Sequence, residues 1–191
     1  IVMTSSEFPD PQACHEELSN TLTLDECTFN ANSAVRQPQQ ASSPWGGAVY
    51  CWQSGLTITN CTFTDNACYE LEIEGHGIVG EGGGVLALRS KVSMTDSSFT
   101  GNTAGAGGGG ARIISSKSAT TLTNCSFTNN SAGREGGGIS ITSSTVCPAE
   151  LTGCTFTENT VGSPELAVSG VAGGGFLLLD SNVTPNFSRT P

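Results

Sequence analysis

A short phrase occurs five times in this chain, and a recurring phrase constrains a fold more tightly than composition can. It consists of two spaced apolar residues, a Cys or other small residue, Phe, two residues and Asn. The copies are LTLDECTFNAN (Leu22 to Asn32), LTITNCTFTDN (Leu56 to Asn66), VSMTDSSFTGN (Val92 to Asn102), TTLTNCSFTNN (Thr120 to Asn130) and AELTGCTFTEN (Ala149 to Asn159). A glycine phrase follows each: WGGAV, GGGVL, GGGAR, GGGIS and GGGFL. The phenylalanines Phe29, Phe63, Phe99, Phe127 and Phe156 are separated by 34, 36, 28 and 29 residues. Constant phrases on a variable period mean constant rungs joined by loops of different length.

The phrase is β-like, because Thr, Val, Ile and Phe alternate apolar with polar. No stretch carries a helical period, and the 25 glycines disfavour helix. Leu56 and Ile58 share one parity, Cys61 and Phe63 the other. The chain must therefore bend between them, and likewise at Asp25-Glu26, Thr95-Asp96, Thr123-Asn124 and Thr152-Gly153. Two short strands at an angle, an Asn turn and a third strand after glycine make one coil of a parallel β-helix. Asn32, Asn66, Asn102, Asn130 and Asn159 are expected to stack at about 4.8 Å per coil and to hydrogen-bond along the axis.

The glycine strand aligns on Ala48, Gly84, Gly110, Gly138 and Gly175. Val49 and Cys51, Val85 and Ala87, Ala111 and Ile113, Ile139 and Ile141, and Phe176 and Leu178 then point inward, leaving Arg112 and Ser140 outside. The same register turns Tyr50, Trp52, Leu86, Leu88, Ile114, Leu177 and Leu179 away from the core. They form an interaction surface, unless the insertions 67–81 and 161–172 fold over it.

One domain spans residues 1–191, with repeats over about 22–179. Net charge is −10 with only seven Lys plus Arg, which argues against a nucleic-acid partner or an anionic membrane surface. No apolar run reaches membrane-spanning length, so no membrane insertion of this segment is expected. The chain starts with neither Met nor a signal peptide, and its repeats run almost to both ends without a polar cap. It reads as a mature product or a piece of a longer solenoid. Eight cysteines, an even number, point to an oxidising compartment, and the absence of C-x-x-C disfavours zinc. Asn60, Asn124, Asn129, Asn182 and Asn186 are sequons, so a secreted glycoprotein modified at these residues is expected.

The alternation of GGAV, GGGV, GGGA, GGGI and GGGF with FNAN, FTDN, FTGN, FTNN and FTEN resembles the repeat of chlamydial polymorphic outer-membrane proteins. That repeat also occurs in surface proteins of other bacteria and of some eukaryotes, algae among them. Four of the five glycine phrases carry Gly where that family often has Ala, and the chain contains no outer-membrane barrel segment. The resemblance implies a right-handed parallel β-helix of about five coils, at a cell surface or in an extracellular matrix, with structural or adhesive work and no catalytic residues. The sequons and cysteines suit a eukaryotic relative.

Candidate chemistry is sparse. Cys27, Cys61, Cys125 and Cys154 form a column that Ser97 interrupts. Either they are buried free thiols, the preferred reading, or Cys27 pairs with Cys61 and Cys125 with Cys154. Cys14, Cys51, Cys68 and Cys147, off the column, would pin loops. Glu70, Glu72 and Glu74 alternate along one stretch and could hold Ca²⁺ or act as paired carboxylates; a solvated strand face over Leu71 and Ile73 is favoured. His15 and His76 read as surface loop residues, and Asp25, Asp65, Asp96 and Glu158 as turn residues. No cofactor is expected. The expectation is a non-catalytic extracellular structural or adhesive module, possibly part of an appendage or fibre, with itself, other surface proteins or glycans as partners. A polysaccharide-active or carbohydrate-binding β-helix and a bacterial autotransporter passenger are the alternatives.

Overall fold

The computed structural model describes residues 1–4, 20–36, 44–70, 79–115, 118–143, 147, 149–162 and 174–179. Every named strand pairs parallel to its counterpart in the next coil, and no helix occurs among the described residues. The five repeats stack as a parallel β-helix. The glycine phrases feed a six-stranded sheet: Val2–Thr4, Val49–Trp52, Val85–Leu88, Ala111–Ser115, Ile139–Ser143 and Phe176–Leu179. A second sheet holds Thr21–Asp25, Gly55–Thr59, Lys91–Thr95, Thr120–Thr123 and Ala149–Thr152. The third holds the phenylalanines: Thr28–Asn30, Thr62–Thr64, Ser98–Thr100, Ser126–Thr128 and Thr155–Thr157.

Two elements exceed the three-strand coil expected from the repeat. Ser33–Arg36, Ala67–Glu70, Thr103–Ala104, Ser131–Ala132 and Thr160–Val161 form a fourth sheet after the Asn turn. Its shortest strands have two residues, too few to show alternation. Its inward column is small: Cys68, Ala104 and Ala132 are buried. The other addition is Val2–Thr4, which runs beside Val49–Trp52 with Val2 opposite Tyr50, ahead of the first repeat. The stretch 67–70, assigned above to an insertion, is regular rung structure.

The bends fall where parity demands them, and a single residue makes each one. Glu26, Asn60, Asp96, Asn124 and Gly153 adopt φ of 49°, 51°, 49°, 52° and 64°. A second left-handed residue precedes each Asn of the turn: Ala31, Asp65, Gly101, Asn129 and Glu158. Asn, Asp and Gly hold seven of these ten places, because they tolerate the left-handed region best. In the glycine phrases, Gly82 and its equivalents also have positive φ. A Cβ on the next residue, Gly83, would strike the Gly109 carbonyl of the following coil.

Axial columns hold the coils together. The Phe29, Phe63, Phe99 and Phe127 rings stack at centroid distances of 4.7 Å per step, and Phe156 continues at 5.2 Å. The Asn column is a closed hydrogen-bond ladder. Asn32, Asn66, Asn102 and Asn130 each donate Nδ2–H to the next Asn Oδ1 at 2.9 Å, and their backbone N–H groups donate to the same oxygens at 3.0 Å. The second Nδ2 proton goes to a Phe carbonyl of the preceding coil, as from Asn102 to Phe63 at 3.0 Å. Between these columns and the glycine sheet lies one continuous core containing Val49, Ile58, Val85, Met94, Ile113, Leu122, Ile139 and Ile141.

The Cys column is a second ladder rather than a filler stripe. Just past the left-handed bend, the backbone N–H of Cys27 donates to Cys61 Sγ at 3.4 Å, and that of Cys61 to Ser97 Oγ at 3.0 Å. The Ser97 N–H continues to the Cys125 sulfur, and the Cys125 N–H to Cys154. Each side chain in turn donates to the carbonyl two residues before it, from 2.8 Å for Ser97 to 3.6 Å for Cys154. The position therefore requires a small side chain that both donates and accepts, which Ser and Cys supply and Ala does not. Ser97→Ala strands the buried Cys61 N–H and should cost about 1–3 kcal/mol. Ser97→Cys should cost less than about 1 kcal/mol. Urea midpoints of the two variants check this, and equal midpoints would remove the ladder from the stability argument.

Candidate functional site

The densest charged arrangement among the described residues lies on the outer face of the glycine sheet, at a position the sequence reading passed over. The residue ahead of each glycine phrase forms a ladder of its own: Trp45, Glu81, Gly107 and Glu135 bridge in parallel from coil to coil. Beside it runs the outward row Tyr50, Leu86, Arg112 and Ser140. Arg112 Nε lies 3.3 Å from Glu81 Oε2, near enough for charge pairing but off the line of a hydrogen bond. Its Nη1 pairs with Glu135 Oε1 and donates to Ser140 Oγ at 3.0 Å. Gly107 leaves the opening for the guanidinium, since a Cβ there would crowd Arg112 Nη1.

Arg112 does face away from the core, as the register requires, but solvent does not bathe it. Its side chain is 13% exposed, against 32% for Glu81 and 24% for Glu135. Ser140 is fully buried. Burial pulls the Arg112 guanidinium down from its usual value, and the Glu81 carboxylate pushes it back up. Two carboxylates from different coils thus share one cation. The signal for this site was present as Glu-Gly-Gly-Gly at 81–84 and at 135–138. Aligning the phrase from its glycines onward hid it.

The outward apolar stripe needs correction. Tyr50 is 8% exposed and Leu86 0%, so neither offers a free surface. Leu88 and Ile114 are half-buried. Trp52 is exposed at 38%, and Trp45, absent from the expected stripe, at 47%. The Trp45 ring rests on Tyr50 with centroids 5.3 Å apart and planes inclined by 46°, which explains why Tyr50 is covered. Leu177 and Leu179 hold register positions opposite Ser140 and Thr142, and their side chains lie outside the described set. The exposed large apolar residues among those described are Ile1, Trp45 and Trp52, and Ile1 meets the same strand by accepting the Tyr50 N–H at 2.8 Å. Among the described residues, the exposed large apolar side chains thus lie on or beside the first glycine rung.

Of the acidic stretch, only Glu70 lies within the described residues. It does not stand on an open acidic face: its side chain is 6% exposed and pairs with Arg36 at 3.0 Å across the fourth sheet. Its carboxylate oxygens are not aligned for hydrogen bonds there, so the contact is one of charge. Glu72, Glu74, His15 and His76 lie outside the described residues. Asp25, Asp65, Asp96 and Glu158 are exposed at the bends, and Asp96 accepts the Asn124 amide at 3.0 Å. Asn60, Asn124 and Asn129 are exposed on left-handed turn residues; Asn182 and Asn186 are outside the described set.

The column cysteines follow the preferred reading, two of the off-column cysteines depart from theirs, and Cys14 lies outside the described residues. Cys27, Cys61, Cys125 and Cys154 are free thiols. Cys51 and Cys68 do not pin loops; both are free and fully buried on inward positions. Burial pushes the Cys51 thiol up, and pushes that of Cys68 up to about 12, which makes both inert at neutral pH. Cys147 is disulfide-bonded.

No helix among the described residues is long and apolar enough to cross a membrane. Neither the curated proteins nor the solved structures contain a match to this chain. A family model described as a right handed beta helix region matches residues 19–188, covering all five repeats and every axial column. The stacked parallel coils and this match agree, and the chain belongs to the right-handed parallel β-helix family.

Proposed function

We propose that this β-helix is a non-catalytic extracellular module, structural or adhesive, that meets its partner through the first glycine rung. The carrying observation is the commitment of Glu81 and Glu135 to Arg112, which leaves the best-placed carboxylate pair without a free acid or base. The remaining axial polar groups are spent on neighbouring coils. The exposed Trp45 and Trp52 supply the contact surface. The resemblance of the alternating glycine and Phe-x-x-Asn phrases to the chlamydial polymorphic outer-membrane repeat supports this reading, and the exposed sequons Asn60, Asn124 and Asn129 support a secreted, glycosylated form. Its partners are other copies, other surface proteins or glycans. A net charge of −10 disfavours nucleic acid.

A carbohydrate-active reading has one observation in its favour: two glutamates two coils apart on the same face as two exposed tryptophans. A panel of neutral and acidic polysaccharides separates the readings. We expect no turnover, and we expect retention on native surface material to fall at least about tenfold in the Trp45→Ala/Trp52→Ala double variant. Melting should fall by only a few degrees, the loss coming from the Trp45 ring that covers Tyr50. Cleavage abolished by Glu135→Gln would overturn the non-catalytic reading. Undiminished retention would remove the tryptophans from it.

A further inference from the structure

Two of the column's thiol pairs are arranged for more than packing. The backbone N–H of Cys27 reaches the Cys61 sulfur at 3.4 Å, and that of Cys125 reaches the Cys154 sulfur, so the two cysteines of each pair lie side by side on successive rungs. Cys51 and Cys68 have no such partner: the Cys51 thiol meets Ser90, and Cys68 meets backbone groups. The flanking phenylalanine steps show how near successive coils stand, 4.7 Å from Phe29 to Phe63 and 5.2 Å from Phe127 to Phe156. Equivalent Cα atoms one rung apart, at about 4.8 Å, fall within the 4.4–6.8 Å spanned by protein disulfides. Ser97 occupies the rung between Cys61 and Cys125, so neither inner cysteine has a second neighbour to choose.

We propose that Cys27–Cys61 and Cys125–Cys154 are two redox-closable dithiol sites, each able to form a disulfide along the helix axis by exchange with a small-molecule disulfide. One sulfur of each pair is the entry point. Cys27 is half-buried and Cys154 is 8% exposed, while Cys61 and Cys125 are each 1% exposed. At the second site, the contact between the two thiols draws Cys154 below its usual range and, with burial, raises Cys125. The greater exposure of Cys154 gives it the attacking role and leaves Cys125 the resolving one. The Cys154 thiolate attacks one sulfur of the small disulfide and expels the other half as a thiolate. Cys125 then loses its proton and attacks Cys154 in the mixed disulfide, expelling the second half. The protein loses two hydrogens and gains one S–S bond, and the small disulfide is reduced to two thiols. The two bonds would lock the first coil to the second and the fourth to the fifth, leaving the middle rung at Ser97 unlocked.

The test equilibrates the whole chain in graded mixtures of oxidised and reduced glutathione. Samples are quenched in acid, alkylated in denaturant and mapped as peptides by mass spectrometry. We expect Cys27–Cys61 and Cys125–Cys154 linkages to appear together as the buffer becomes more oxidising, with Cys51 and Cys68 still alkylated. Cys154→Ser should leave Cys125 alkylated and the Cys27–Cys61 linkage intact. Ser97→Cys removes the break and should scatter linkages to position 97. The inference is overturned if all four column cysteines remain alkylated in buffer that keeps Cys147 oxidised. Linkages to Cys51 or Cys68 in amounts equal to the column pairs overturn it as well, because pairing would then follow unfolding and not the stack.

Discussion

Phe127→Ala should lower stability by about 3–5 kcal/mol, the range for deleting a buried aromatic ring. Phe127 is fully buried, and its ring is sandwiched between Phe99 at 4.7 Å and Phe156 at 5.2 Å. In a globular core, neighbouring side chains can lean into such a hole. Here the neighbours above and below are phenylalanines held at the rung spacing by their own strand pairing, with Ser126–Thr128 locked in register to both adjacent coils. Gly110 borders the ring on the side of the glycine sheet and has no side chain to move in. Collapse is therefore restricted, and the cost should sit toward the upper end. Phe156→Ala should cost less, since Phe156 is only partly buried at the end of the stack. Urea unfolding of both variants measures the difference. Equal midpoints for Phe127→Ala and the parent would mean that the stack contributes nothing beyond side-chain hydrophobicity at an exposed site.

How much of this was legible in the sequence depended on how many residues carried each signal. The Phe and Asn columns were readable because five copies fix them at constant spacing from one another, and each lies in a strand or turn with a forced parity. The glycine-strand register was readable for the same reason, and Val85 does stand between Val49 and Ala111. The fourth sheet was not readable, because strands such as Thr103–Ala104 are shorter than one alternation. The outer face was the main difficulty. Parity says which way a side chain points, but exposure also depends on what stands beside it on the face. Tyr50 points outward and is capped by Trp45 from five residues earlier; Arg112 points outward and is enclosed by Glu81 and Glu135 from other coils. The Arg112 contacts run across rungs, between residues 31 and 23 positions apart, and no local pattern encodes them. The hydrogen-bonding role of the Cys column was similarly hidden. Its only trace in the sequence was that coil three replaces Cys with Ser and not with Ala or Val.

Replacing Asn102 tests whether the turn ladder is electrostatic and directional, or merely packed. Asn102 is fully buried at the centre of the column. Its Oδ1 accepts the backbone N–H and the Nδ2–H of Asn66, and its Nδ2 donates to Phe63 O and Asn130 Oδ1. Asn102→Ala takes the acceptor from both Asn66 donors and the side-chain donor from the Phe63 carbonyl, while Asn130 Oδ1 keeps the backbone N–H of residue 102. At about 1–3 kcal/mol for each orphaned group, eased by whatever water enters, a loss of about 4 kcal/mol is expected. Asn102→Asp is the sharper probe, because it preserves shape and changes only protons. One carboxylate oxygen would still accept from Asn66, but the other would face the Phe63 carbonyl and Asn130 Oδ1, both acceptors. Ionised, it meets repulsion in a site without solvent; protonated, it can donate one of the two lost hydrogen bonds. The folded state therefore favours the acid, and its pKa lies above that of the unfolded chain. Between those two pKa values the folded protein binds more protons, so the stability of the variant relative to the parent must fall as pH rises and recover as pH drops toward about 4. At neutral pH Asn102→Asp should be less stable than Asn102→Ala, and near pH 4 the order should reverse. Urea titrations of both variants and the parent at the two pH values decide the matter. An Asp variant as stable as the parent at neutral pH would show that the column tolerates a buried charge, and the ladder would then be a consequence of the stacking and not one of its causes.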